Sequence, residues 1–208
     1  MTTQIKLCGF KNIEDIIFAS SLDIDYLGMI FVQDMPRTID IKTAIRAVSI
    51  CQDNDIKSVG VFLNQSVEDI SSIINKVDLD IIQLHGNENI DDYTIFNKDI
   101  ISTIHASENI QSQLSKINLN KHMHLIDATD NQMRGGSGTT FDWNILKDLN
   151  YEKLFIAGGL KPDNILDLLS RYTPRCVDVS SGIERKVGYK DHKIMSDFVE
   201  TIRTYYEK

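Results

Sequence analysis

The chain predicts a single parallel α/β barrel of eight strand–helix units, and three observations carry that reading. Short apolar runs alternate with longer amphipathic stretches from end to end, the pattern of an α/β protein. Eight such units in 208 residues come to about 26 residues each, near the small end of the range for a (β/α)₈ TIM barrel. The turn after the first run, Cys8-Gly9-Phe10-Lys11-Asn12, lacks the glycine-rich dinucleotide signature that a doubly wound open sheet would want.

The strand-like runs are Gln4–Cys8, Tyr26–Phe31, Ser58–Phe62, Ile81–His85, Ile100–Ile104, His124–Asp127, Leu154–Ala157 and Cys176–Val179. They are rich in Ile, Val, Leu and Phe and apolar on both faces, as buried parallel strands must be. The first helix is predicted over Ile13–Leu22, with Ile13, Ile16, Ile17 and Ser20 at helical spacing. The second covers Ile41–Cys51, spaced by Ile41, Ala44, Ile45 and Val48. The third covers Val67–Val77, with Ser66 as its N-cap. Further helices fit Ile90–Phe96, Ile110–Ile117, Trp143–Leu149, Asp163–Tyr172 and His192–Tyr205. Asn, Asp and Ser weaken the fourth and fifth; Pro162 sits where a first helical turn tolerates it. No Pro-, Ser- or Gly-rich stretch reads as a linker, so residues 1–208 are expected to form one catalytic domain.

Composition narrows the function. A net charge of −8 disfavours unspecific binding to nucleic acid or an anionic membrane, both of which need a basic surface. It leaves room for a small anion held by local groups. Three widely spaced cysteines, Cys8, Cys51 and Cys176, form neither a disulfide framework nor a zinc ligand set, which suggests a reducing compartment. With no signal segment and no apolar run of transmembrane length, a cytoplasmic protein is expected.

In a parallel barrel the chemistry belongs at the carboxyl ends of the strands. Cys8 ends the first run, with Lys6 on the same face two residues earlier. A thiol there reads either as a small buried hydrophobe or as a base with a lowered pKa. Asp127 tops strand 6; burial would raise its pKa and suit it to donate a proton, while a loop turn or cap is the plainer reading. Arg37 follows strand 2 and could hold a carboxylate in a bidentate grip, or be a solvated loop residue. His85 ends strand 4, where a structural hydrogen-bonded role is the common one. Asp178 and Ser180 share a face of strand 8, and Asp178 could orient or neutralise Lys6.

The glycines cluster after the last three strands: Gly135, Gly136 and Gly138 around Ser137; Gly158 and Gly159; and Gly182 after Ser180-Ser181. Loops after strands 7 and 8 form the recurrent phosphate site of barrel enzymes, and main-chain N–H groups bind an anion without a basic side chain. The histidines show no metal-ligand spacing, and no metal or cofactor is expected.

Taken in order, these motifs resemble the phosphoribosylanthranilate isomerase family of tryptophan biosynthesis. The matching stretches are Lys6-Leu7-Cys8-Gly9; Gly28-Met29-Ile30-Phe31 leading to Pro36-Arg37; Val59-Gly60-Val61-Phe62; Gln83-Leu84-His85-Gly86; Leu125-Ile126-Asp127; Gly135-Gly136-Ser137-Gly138 with Phe141-Asp142-Trp143; Ala157-Gly158-Gly159-Leu160; and Val177-Asp178-Val179-Ser180-Ser181-Gly182 through Gly188 and Lys190-Asp191. Two departures are small: Met35 stands where the family usually has Ser before Pro-Arg, and Ser137 where it has Thr. The resemblance implies an Amadori rearrangement of N-(5-phosphoribosyl)anthranilate. Asp127 would be the acid on the ring oxygen and Cys8 the base at C2′. Arg37 would hold the anthranilate carboxylate, and the last three loops the phosphate. No cofactor is implied, and the molecule would be a monomer or homodimer.

Two alternatives compete. Another phosphate-binding barrel enzyme is one. A metal-dependent epimerase would need His and Asp ligands at strand ends, and indoleglycerol-phosphate synthase relies on lysines and a glutamate there. The other is a barrel that has lost its chemistry and serves as a partner subunit. Base, acid and both anchors surviving together argue against it.

Overall fold

A computed structural model describes residues 2–106, 110–115, 122–127, 142–147, 149 and 151–207. Eight parallel strands close into a barrel: β1 (Gln4–Phe10), β2 (Tyr26–Ile30), β3 (Lys57–Phe62), β4 (Ile81–Leu84), β5 (Asp99–His105), β6 (Met123–Asp127), β7 (Leu154–Ile156) and β8 (Cys176–Val179). Each strand pairs with the next in sequence, and β1 closes on β8. Alternate side chains point to opposite faces of a strand. One set, including Tyr26, Val59, Ile101, Leu125 and Phe155, fills the barrel interior. The other, including Leu7, Leu27, Ile82 and Ile126, packs beneath the helices.

The outer layer holds α1 (Ile13–Ser20), α2 (Ile41–Asp53), α3 (Val67–Ile74), α4 (Ile110–Ser115), α5 (Ile165–Arg171) and α6 (His192–Tyr206). Side chains cap four of these at the N-terminus: Asn12, Asp40, Ser66 and Asp191 each accept a main-chain N–H three residues on. The Ser66 cap is as the sequence predicts.

Three expected elements take a different form. Ile90–Phe96 and Trp143–Leu146 are 3₁₀ helices. In the first, Thr94 Oγ1 donates back to the Asp91 carbonyl and Asn97 turns left-handed at φ 49°, so local side-chain bonds compete with the α ladder. The helix expected from Asp163 begins at Ile165, because Asn164 is drawn into the loop after β7: it donates to the Gly159 carbonyl and accepts from Lys161 N–H. The expected ends of the helices over 110–117 and 143–149 run partly outside the described residues, as do Gly135, Gly136, Ser137 and Gly138.

One element is additional. After β8 comes a 3₁₀ turn (Ser181–Ile183) and then a hairpin of β9 (Glu184–Lys186) with β10 (Tyr189–Lys190). Gly188 makes its turn at φ +78°. Among the described residues no helix is long and apolar enough to cross a membrane.

Candidate active site

Strand register assembles the site. Lys6 lies opposite Asp178 where β1 meets β8, Cys8 lies opposite Gly28 where β1 meets β2, and His105 lies opposite Asp127 where β5 meets β6. A cavity of about 460 Å³ opens at this edge, lined by Cys8, Arg37, His85, Asp127 and Asp178 together with the loops Gly158–Gly159 and Ser180–Gly182. Its volume suits a single small-molecule ligand of metabolite size.

Gly28 gives the thiol its place. A Cβ built on Gly28 would lie 2.5 Å from Cys8 Sγ, so only glycine leaves room for it there. The thiol is 7% exposed, and burial pushes its pKa up; Lys6 pulls it down and Asp178 pushes it up again. Lys6, wholly buried, donates to Asp178 Oδ2 at 2.8 Å. Burial opposes its charge, but Asp178 and the thiol outweigh this and hold the ammonium above its ordinary range. Burial also pushes the Asp178 pKa up, against the pull of Lys6. Asp178 Oδ1 is buried and has no hydrogen-bond partner among the described residues.

Asp127 is also 7% exposed, at the top of β6. His85 Nε2 lies 3.5 Å from its Oδ2. On the other side of the ring, Thr103 Oγ1 at 3.0 Å and Gln83 Nε2 at 3.4 Å can both donate to Nδ1, which leaves the ring proton on Nε2, facing Asp127. Burial keeps His85 neutral by lowering its pKa; Asp127 opposes this and His105 adds to it. His105 packs edge-on against His85, ring centroids 5.6 Å apart.

Arg37 does make the bidentate grip expected of it, but on a carboxylate of the chain itself. Nε and Nη2 each donate at 2.8 Å to Glu184. Arg37 also lines the cavity. Lys190, fully buried, donates to the Ser180 carbonyl at 2.9 Å and to Glu184 Oε1 at 3.2 Å.

The loops after β7 and β8 touch. A Cβ on Gly182 would fall 1.9 Å from the Leu160 carbonyl oxygen, so glycine is required for their approach. Gly158 and Gly159 take φ of +90° and +65°. Of the predicted site residues, Lys6, Cys8, Arg37, His85, Asp127, Gly158, Gly159, Asp178, Ser180, Ser181 and Gly182 therefore come together, while Gly136, Ser137 and Gly138 lie outside the described residues. Sequence reasoning missed Glu184, Lys190, Thr103 and His105 as neighbours of the site. The run Lys186-Val187-Gly188-Tyr189 was the one available hairpin signal. Among the described residues no group of three or more His, Cys, Asp or Glu side chains is placed to hold a metal ion.

Comparison with known proteins agrees with this geometry. The family profile described as N-(5'phosphoribosyl)anthranilate (PRA) isomerase matches residues 5–201. The N-(5'-phosphoribosyl)anthranilate isomerase of Caldanaerobacter subterraneus subsp. tengcongensis is 36% identical over 96% of this chain and 98% of its own. The crystal structure of the Thermotoga maritima phosphoribosyl anthranilate isomerase is 30% identical, covering 98% of this chain and 100% of its own, with a TM-score of 0.85. A phosphoribosyl anthranilate isomerase in complex with reduced 1-(o-carboxyphenylamino)-1-deoxyribulose 5-phosphate is 28% identical, covering 98% of this chain and 100% of its own, with a TM-score of 0.82. On profile, sequence and fold together, the chain belongs to the N-(5'-phosphoribosyl)anthranilate isomerase family.

Proposed function

We propose that this chain performs its family's isomerisation, a step of tryptophan biosynthesis, by acid–base chemistry between Cys8 and Asp127. The observation that supports this best is that thiol and carboxyl both open into one cavity, with a cation on one flank and glycine loops on the other. Asp127 donates a proton to the furanose ring oxygen, and the ring opens to a Schiff base. His85 Nε2 stands 3.5 Å from Asp127 Oδ2, beside the carboxyl that faces the cavity. Cys8, as thiolate, then takes the proton from C2′. The enolamine ketonises to 1-(2-carboxyphenylamino)-1-deoxyribulose 5-phosphate. No electrons leave the substrate: C2′ loses a proton and C1′ gains one, while the 2′-hydroxyl gives up a proton that replaces the one Asp127 put on the ring oxygen. Each proton transfer of this kind contributes about 10²–10⁴-fold.

Binding anchors the substrate at both ends. Arg37 takes the anthranilate carboxylate, and the main-chain N–H groups of the loops at Gly158–Gly159 and Ser181–Gly182 take the phosphate, with Gly136, Ser137 and Gly138 proposed to complete the phosphate site. Asp178 Oδ1, buried without a hydrogen-bond partner among the described residues, accepts from a ribose hydroxyl in this reading. A related Thermotoga maritima enzyme is described as dimeric, and this chain works as a monomer or homodimer. Loss of phosphoribosylanthranilate fluorescence measures the assignment. Asp127→Asn should lower kcat by about 10²-fold or more, and Arg37→Ala should mainly raise KM. Near-normal kcat in Asp127→Asn would remove it as the acid.

A further inference from the structure

The acid–base pair leaves two buried charges of the hairpin unused, Glu184 and Lys190. Lys190 is 0% exposed, and its ammonium lies above the Phe10 ring at 5.3 Å. It is fixed from three directions. The Ser180 carbonyl and Glu184 hold Nζ, and Asp15 accepts the Lys190 main-chain N–H at 2.9 Å. A Cβ on Gly9 would lie only 3.5 Å from Lys190 Nζ, so the ammonium sits against the residue next to Cys8.

The charges around the thiol do not cancel. Lys6 from β1 meets Asp178 from β8 at 2.8 Å. Glu184 from β9 serves two cations, Arg37 from the loop after β2 and Lys190 from β10. These five buried groups carry one net positive charge. Asp127 and His85, from β6 and after β4, line the same cavity as the thiol. An excess charge in a buried cluster is costly unless an anion meets it. A Cys8 thiolate is an anion at the right place: burial pushes the Lys190 pKa down, Glu184 and the thiol push it back up, and Lys190 in turn favours the thiolate.

We propose that Lys190 is a positioning residue for the base: clamped by Glu184 and the Ser180 carbonyl, it supplies the unmatched positive charge that makes the Cys8 thiolate available. Glu184 sets how much of that charge reaches the thiol. Lys6 favours the thiolate more strongly, but Asp178 opposes it, and Lys190 adds to what remains. The inference rests on the reading that Cys8 is the base.

The test is the pH dependence of Cys8 alkylation by iodoacetamide, followed by mass spectrometry of the Cys8 peptide so that Cys51 and Cys176 do not contribute. Lys190→Met removes the charge and keeps the apolar stem. Its alkylation midpoint should rise by about one unit or more, a tenfold loss of reactivity at fixed pH below the midpoint. Glu184→Gln leaves two net positive charges and should move the midpoint down. Lys190→Arg should stay near wild type. A Lys190→Met midpoint within about half a unit of wild type, or shifts of the same sign in Lys190→Met and Glu184→Gln, would overturn the proposal. If Lys190→Met does not fold, Glu184→Gln decides alone, and an unchanged or raised midpoint is the contrary result. Alkylation reads the thiol whether or not it is the base. Normal turnover by Cys8→Ser would sink the base assignment and leave these shifts standing; absent shifts with an inactive Cys8→Ser would sink only the role of Lys190.

Discussion

Asp178→Asn removes one partner of a fully buried ion pair, and the cost can be worked from the geometry. Lys6 Nζ is 2.8 Å from Asp178 Oδ2, with side-chain exposures of 0% and 8%. Nothing in the variant replaces the carboxylate, so Lys6 keeps an unpaired ammonium away from water or gives up its proton. Breaking a buried pair on one side costs about 3–5 kcal/mol. At about 2–4 °C of Tm per kcal/mol for a chain of this size, Tm should fall by about 6–20 °C. The pH dependence has a definite sign. In the wild type the Lys6 pKa is raised above its unfolded value, mainly by Asp178 against burial, so its contribution is fully present below the unfolded value and lost only as pH rises through the folded one. In Asp178→Asn only the thiol still opposes burial, the largest single cause, and the folded pKa should fall below the unfolded one. The unfolded state then binds more protons, and the variant gains stability as pH rises toward the unfolded value. Urea denaturation of both proteins from neutral to alkaline pH should therefore show the deficit shrinking. A deficit below about 1 kcal/mol at neutral pH, the range of a solvated pair, or one that widens with pH, would refute the buried ionised pair.

Gly28→Ala puts a methyl 2.5 Å from Cys8 Sγ. It should cost about 1–3 kcal/mol of stability and lower kcat with little change in KM, checked by urea denaturation and steady-state assay; unchanged kcat would show that the thiol's position is not critical. Gly182→Ala drives a Cβ into the Leu160 carbonyl and should raise KM for the phosphorylated substrate by parting the loops after β7 and β8. Because burial raises the Cys8 pKa above its ordinary value, kcat/KM should keep climbing with pH beyond neutrality, and a plateau already reached at pH 6 would contradict that raised pKa.

Much of the fold was legible because local chemistry decided it. Eight runs apolar on both faces mark buried parallel strands, and Ser66 announces its helix by a side-chain bond within one turn. What escaped was decided at long range. Arg37 and Glu184 stand 147 positions apart, and nothing local says that a loop arginine after β2 will close on a residue after β8. The hairpin of β9 and β10 is short and polar, with Arg185 and Lys186 exposed, so it has no apolar pattern to betray it. Lys190 looks like any lysine before a helix cap until barrel closure buries it beside Cys8. The 3₁₀ form of Ile90–Phe96 escaped for a different reason: its apolar spacing suits a helix, while its Asp, Thr and Asn side chains bind the main chain locally.

The central claim is that a buried thiol at the end of β1 takes the proton from C2′, and turnover of phosphoribosylanthranilate by Cys8→Ser tests it most directly. A serine hydroxyl fits the space left by Gly28 but does not ionise in the working range, so kcat should fall by about 10²-fold or more with KM little changed. A Cys8→Ser enzyme turning over within a few-fold of wild type would contradict the account.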